Sequence, residues 1–189
     1  MKTIFTGVIQ SGLKLAAITG LIVALTASIN YVTRDRIEVE RRQASQRILR
    51  EVAGYGNVQL AALANNIYAT TDKQGRTGFI VPAVTQQGYN GEIKLWVGVN
   101  HKGMITGVRV VEHRETPGLG DKMLLQVSNW IKGFNGKSLA NPTAEGWRVR
   151  KDGGQFDQFT GATITPRAVV QAVHQSLIEL KSRANQGSL

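Results

Sequence analysis

The sequence predicts an α+β fold carried on a single membrane-crossing helix, and three observations predict it. An uncharged apolar run lies near the N-terminus, apolar residues alternate with a period of two through the middle of the chain, and a long stretch with helical spacing closes it. The expected architecture is an N-terminal transmembrane helix followed by a domain with an antiparallel sheet and flanking helices. A chain of 189 residues can build one globular domain with a core, and leaves little for a second large one.

The first element is the apolar run. From Leu15 to Val32, "LAAITGLIVALTASINYV" contains no charge. As a helix it is roughly 27 Å long at about 1.5 Å per residue, just enough to span the hydrocarbon of a bilayer. Lys14 stands at one edge, where its stem can carry the ammonium to the headgroups, and Tyr31 stands at the other as an interfacial aromatic. A cleaved signal peptide would have a shorter apolar region and a clear small-x-small cleavage site, for which "LTAS" at 25–28 is a weak match. Residues 1–33 are therefore read as a retained anchor in membrane lipid. The flank "TRDRIEVERR" holds Arg34, Arg36, Arg41 and Arg42 against Lys2 and Lys14 on the other side, a count that points the C-terminal part toward the cytoplasm. Asp35, Glu38 and Glu40 alternate with those arginines, and long domains cross membranes largely regardless of charge, so composition leaves the orientation open.

Residues 34–87 are read as a helical linker and the start of the soluble domain. Ile37, Ala44, Ile48, Leu49 and Val52 recur at helical intervals among charges, and Gly54 is the expected helix stop. Residues 54–76, with "TTDKQGR", read as short helix and turns. "TGFIVPAVTQQGYNG" predicts a strand in which Pro82 argues for an edge or an irregularity. Next, "EIKLWVGVN" puts Ile93, Leu95, Val97 and Val99 on one face, residues 100–103 supply a turn, and "MITGVRVVE" resumes the alternation, which together predict a hairpin. Beyond it come an apolar helical stretch through Trp130, a Gly/Asn/Pro-rich loop, and "WRVRKDGGQFDQF" as a further strand and turn. The last helix is predicted from Pro166 to about Arg183, with Ala168, Val169, Ala172, Val173, Ser176, Leu177 and Leu180 on its buried face.

Composition narrows the chemistry. There is no cysteine, which excludes disulfides, thiolate nucleophiles and cysteine-held zinc or iron–sulfur centres within the chain. A redox role would need an organic cofactor or a metal held without cysteine. Lys and Arg number 23 against 13 Asp and Glu, a net charge of +10, so anionic lipid, nucleic acid and acidic protein faces are all partners to weigh. Acidic residues interrupt the basic runs, and the aromatic spacing of RNA-binding sheets and the spacing of zinc fingers are missing, so no nucleic-acid partner is expected. His101, His113 and His174 share no metal-ligand spacing, and no metal site is expected. Trp96, Trp130 and Trp147 are expected in packing.

Two segments carry chemistry. In "DQFTGATITPRAVVQAV", Thr165 reads as the N-cap and Pro166 as the first residue of the last helix, whose unpaired N–H groups and positive dipole end can hold a phosphate. Gly161 and Ala162 allow the backbone to come close. The same features also describe an ordinary capped helix. In "ETPGLGDK", Pro117 and the two glycines flanking Leu119 can turn backbone N–H groups toward a ligand, as many plain turns can.

Together the two segments are more specific. "DQFTGATIT", Asp157 to Thr165, resembles the flavinylation signature of the FMN-binding domain family: an acidic residue, two others, Ser or Thr, Gly, Ala, Ser or Thr, any residue, then the acceptor Thr. "HRETPGLGDK" resembles that family's other marker, and "GYNGEIKLWVGVNHKGMITGVRVVEH" its strand pair. Thr160 stands where Ser is common, and keeps the hydroxyl. The resemblance covers 88–182, leaving 183–189 as a tail. With the anchor and overall size, the whole chain is similar to the G subunits of Rnf (Rsx) ion-translocating electron-transport complexes. These are relatives of the usually longer C subunit of the sodium-pumping NADH:quinone reductase.

The resemblance implies covalent FMN, joined through its phosphate to the Thr165 side-chain oxygen. It implies that Thr160, Gly161, Ala162 and Thr163 shape the acceptor loop and that Asp157 is read by a flavin transferase during maturation. Glu115, Thr116, Pro117, Gly118, Leu119 and Gly120 would line the flavin. It further implies an electron-carrying subunit among the other subunits of an Rnf-type complex, passing electrons between ferredoxin and NAD in a bacterial inner membrane, with the FMN domain on the periplasmic side. The flavin then supplies the redox chemistry and the protein supplies position and electrostatics, without catalytic residues of its own. The competing expectation is a membrane-anchored domain that binds an anionic ligand reversibly, without redox function.

Overall fold

A computed structural model of the protein describes residues 2–54, 59–72 and 74–188. Its contacts divide the chain into two compact units, Met1–Ala44 and Ser45–Leu189.

The first helix, α1, runs Lys2–Ala53. Its apolar span is Gly12–Arg34, wider than the uncharged core read from the sequence and long and apolar enough to cross a membrane. Leu21, Ile22 and Leu25 on it are exposed, so this span packs into no core of its own. The hydroxyls inside the span bond their own helix: Thr26 donates to the Ile22 carbonyl at 2.7 Å and Ser28 to the Ala24 carbonyl at 2.8 Å. That pairing removes the cost of placing a hydroxyl in hydrocarbon. Of the charges that bear on orientation, the side chains of Lys2, Asp35, Glu38, Arg41 and Arg42 lie outside the described residues.

The second unit is a five-stranded antiparallel meander in the order β1-β2-β3-β4-β5, with strands Gln59–Ala62, Tyr68–Thr71, Thr77–Gly88, Gly91–Val99 and Ile105–Glu112. The hairpin of β4 and β5 is as the alternation predicts. Ile93, Leu95, Val97 and Val99 face one core with Ile105 and Val108, and Asn100 closes the turn by accepting from the Lys102 and Met104 amides at 2.9 and 3.0 Å. Helix α2, Ile164–Asn185, covers this face, and every residue of its predicted buried face is buried. Phe134, Trp147 and Phe156 complete the core as an aromatic group, with Phe134 and Phe156 stacked at 4.7 Å.

The opposite face of the sheet receives the end of α1. Leu49, Val52 and Ala53 pack on Ile80, with Tyr68 and Trp96 at the margin. The approach is close enough that a Cβ on Gly98 would lie 2.2 Å from the Val52 carbonyl oxygen. That carbonyl, left over at the helix end, accepts from the Thr106 hydroxyl at 2.6 Å, and Gly54 at φ 72° turns the chain away. The predicted stop at Gly54 and the burial of Leu49 and Val52 are therefore observed, whereas Ile37 and Ala44 are exposed.

Several local expectations need correction. Residues 59–71 form β1 and β2, not just helix and turns; each strand has four residues, too few to show a period. Pro82 lies in a strand paired on both sides, yet β2 reaches only to Ile80, so at Pro82 the strand is locally an edge and no ladder bond is lost. The expected helix through Trp130 is two separate 3₁₀ turns, Gly120–Met123 and Trp130–Phe134. The expected strand after Trp147 is a 3₁₀ turn, Arg150–Asp152, joined to its surroundings by a lone bridge of Val149 to Phe156. Gly154 explains this: with its missing Cβ it packs directly on Arg148, so the segment folds back on itself and cannot extend.

Candidate functional site

Three loops converge on one cleft of about 280 Å³. The β3–β4 turn contributes Tyr89, the loop after β5 contributes Glu115, Thr116, Leu119 and Gly120, and the lead into α2 contributes residues 161–165. The middle loop closes on itself, since the Thr116 carbonyl accepts from the Leu119 and Gly120 amides at 3.2 and 3.1 Å, with Gly118 at φ 80° making the reversal. The third loop is pinned from behind. The Trp130 indole N–H donates to the Asp157 carbonyl at 2.8 Å, and its ring meets buried Phe159 edge-on at 4.9 Å.

Thr165 sits at the floor of this cleft, 1% exposed, and its hydroxyl donates to Oε2 of Glu115, itself 5% exposed. The other carboxylate oxygen accepts from the Asn90 amide at 3.0 Å, while the Asn90 side chain holds the Arg114 carbonyl and the Thr116 hydroxyl. The Glu115 amide donates to Nδ1 of His113 at 3.1 Å. Space for the pair is made by glycines. A Cβ on Gly120 would lie 2.6 Å from Oε2 of Glu115 and 2.9 Å from the Thr165 oxygen, and one on Gly88 would lie 2.8 Å from Oε1.

This geometry corrects the expected cap. Helix α2 begins at Ile164 with Thr163 as the flanking residue, and Thr163 makes no side-chain capping bond. Thr165 is thus the second helical residue and Pro166 the third, still within the first turn where a missing N–H costs nothing. The Thr165 hydroxyl is engaged by Glu115 and not by its own helix end.

Of the residues singled out in the sequence, Glu115, Thr116, Leu119, Gly120, Gly161, Ala162, Thr163 and Thr165 line the cleft together. Thr160, Pro117 and Gly118 are exposed and stand outside its lining. Asp157 is exposed on the surface, 2.9 Å from the Arg150 guanidinium. Sequence reasoning missed Tyr89, Ile164 and Asn90. The available signal was "GYNG", where the two residues linking β3 and β4 include an aromatic that no core requires. Trp147 is buried in the core and stacks on His174 at 5.0 Å, and Trp96 meets Tyr68 edge-on at 5.5 Å. Among the described residues no group of His, Cys, Asp and Glu could hold a metal ion.

What the cleft offers is a polar floor and an apolar mouth. The first-turn amides of α2 carry the positive end of the helix dipole, which favours an anion there. At the mouth Tyr89, Leu119 and Ile164 are 68%, 43% and 45% exposed, an apolar rim of the kind that meets a planar ring. A larger groove of about 470 Å³ runs between the β4–β5 turn and the end of α2, but none of its polar residues is buried.

Comparison with known proteins places the chain. It is 40% identical over 187 residues to the G subunit of the ion-translocating oxidoreductase complex of Vibrio cholerae, covering 91% of this chain and 90% of that one. The chain belongs to this G-subunit family. The corresponding protein of Pseudomonas aeruginosa is 41% identical over 188 residues, covering 89% and 88% of the two chains, and that of Pseudoalteromonas atlantica is 41% identical over 179, covering 86% and 82%. Two family models match along the chain, the RnfG N-terminal region at residues 1–52 and the FMN-binding domain at 88–178. As a member of the G-subunit family, the chain thus carries an FMN-binding domain, and the stretch matched contains all three segments that build the cleft.

Proposed function

We propose that this chain is a membrane-anchored flavoprotein subunit of an ion-translocating oxidoreductase complex, holding FMN by a phosphoester between the flavin phosphate and the Thr165 side-chain oxygen. The observation that carries the reading is the placement of that oxygen. It lies at the floor of a cleft, in the first turn of a 22-residue helix, where a phosphate gains both backbone donors and the helix dipole.

The residues present fit the cofactor. The cleft volume lies near the lower end of the roughly 300–1,000 Å³ of small-molecule sites, which suits a tether and phosphate held inside with the ring against the apolar rim. The backbone of Gly120 comes so close that a Cβ there would collide with both Glu115 and Thr165, and all three residues line the cleft. When bound, FMN supplies the electron-carrying chemistry. The chain's own residues bind and orient it: Gly161, Ala162 and Thr163 shape the phosphate end, and Leu119, Ile164 and Tyr89 offer surface to the ring. Asp157, exposed beside the acceptor loop, is available to a flavin transferase during maturation.

In this reading the helix through Gly12–Arg34 anchors the protein in the bacterial inner membrane among the other subunits of the complex. The FMN domain stands on the periplasmic side, where the transferase acts, and electrons pass between ferredoxin and NAD coupled to ion movement. The test is to express the full-length chain with a flavin transferase and examine a denaturing gel for flavin fluorescence. The parent band is expected to fluoresce, and a Thr165→Ala band to be dark at equal protein. Equal fluorescence in both would refute Thr165 as acceptor, and a dark parent with an active transferase would leave a reversible anion-binding domain.

A further inference from the structure

We infer that Glu115 is the base for its own chain's modification: it takes the proton of the Thr165 hydroxyl as the phosphoester forms. The inference rests on the covalent reading above and assigns a role within it.

Among the described residues few polar side chains are buried, namely Thr70, Glu115, Thr165 and Ser176, and two of the four form one hydrogen-bonded pair in the cleft. Thr70 and Ser176 need no further explanation, since Ser176 bonds its own helix and Thr70 sits within a strand. A buried carboxylate is costly unless a cation pairs with it, and among the described residues no Lys, Arg or His side chain forms an ion pair with Glu115. Its partners are the Asn90 amide on one oxygen and the Thr165 hydroxyl on the other. The chain keeps Gly88 and Gly120 bare to make that niche, where any side chain would collide with the carboxylate. These features meet at one contact, between a carboxylate and a hydroxyl 50 residues apart.

A threonine hydroxyl is a weak nucleophile and needs an adjacent base to attack phosphorus. Glu115 Oε2 already accepts the proton that must leave. The step balances without oxidation or reduction. The Thr165 O–H bond breaks, its oxygen bonds the flavin-side phosphorus of a flavin dinucleotide, and the phosphoanhydride bond of that dinucleotide breaks to release a nucleoside monophosphate. The proton passes to Glu115. A purely orienting role for Glu115 would survive its replacement by glutamine, whose amide oxygen can still accept from the Asn90 amide while its NH2 donates to the Thr165 oxygen.

The experiment uses the full-length chain in detergent with purified flavin transferase, flavin adenine dinucleotide and Mg²⁺, following the initial rate at which the denatured band becomes fluorescent. Circular dichroism and thermal melting check that each variant is folded. Glu115→Gln, which keeps the shape and an acceptor but not the basicity, is expected to load at least about 100-fold more slowly, the low end of general-base effects, and Glu115→Asp to recover part of the rate. Loading of folded Glu115→Gln at the parent's rate would overturn the inference while leaving the covalent reading intact. Loading of Thr165→Ala would remove the covalent reading itself.

Discussion

At the scale of single residues, the pairing of Thr165 with Glu115 shows how much of the site depends on what is left out. Gly120 has an ordinary backbone conformation, so its value is spatial: a methyl there would push against both members of the pair. Gly120→Ala is expected to destabilise the domain by about 1–3 kcal/mol, the range for overpacking a filled site, and to slow flavin attachment. Urea unfolding together with gel fluorescence checks both. His174 offers a separate test. Burial pushes its imidazole below the ordinary value of 6.5, because the ring is partly enclosed against Trp147. The unfolded chain therefore binds a proton at a higher pH than the folded one, so stability is full above 6.5 and declines as the pH falls below it. His174→Phe is expected to flatten that part of a plot of Tm against pH; an unchanged slope would refute the assignment. Thr165 itself was legible in the sequence because its neighbours carry a family pattern. Its bond to Glu115 was not, since nothing local signals a partner 50 residues away.

At the scale of elements, the junction of α1 with the sheet is the most specific contact that the sequence did not announce. Gly98 and Gly107 sit where a helix end can lie on bare backbone, and Thr106 donates to the carbonyl left over at Val52. Thr106→Val keeps the shape and loses the donor, leaving a buried acceptor unpaired. It is expected to cost about 1–3 kcal/mol, read as a lower urea midpoint with an unchanged slope. The strands β3, β4 and β5 were legible because the face under α2 is apolar along its length while the other is covered only where the end of α1 lies on it, which leaves a period of two in much of the sequence. The stretch between β5 and α2 carried no such period. Its order comes from 3₁₀ turns of three to five residues and from aromatic packing around Phe134, neither of which repeats. The start of α2 was misplaced by two residues because a Thr-Pro pair looks like a cap, while tertiary contact with Glu115 claimed the hydroxyl.

At the scale of the whole molecule, the proposed orientation lends itself to a direct test, because the chain has no cysteine of its own. Ser188→Cys places one thiol at an exposed position near the end of the chain. With the FMN domain on the periplasmic side, a membrane-impermeant maleimide is expected to label it in cells whose outer membrane alone has been opened. Labelling only after the inner membrane is broken would place the domain in the cytoplasm, as the arginine count suggests. The anchor was the easiest feature to read, since length and absence of charge suffice; the orientation was the hardest, because acidic residues interleave with the arginines that would decide it.

The meander also sets an order of events in time. Each strand pairs with the next in sequence, so closing the sheet requires only short chain excursions, whereas joining Asn90, Glu115 and Thr165 requires excursions of 25 and then 50 residues. Chain-closure entropy rises with the length enclosed, so the hairpins can pair before the Thr165 hydroxyl meets the Glu115 carboxylate. A chain caught midway in folding would then show a formed sheet and an unprepared threonine, and attachment of the flavin would mark a polypeptide that has finished.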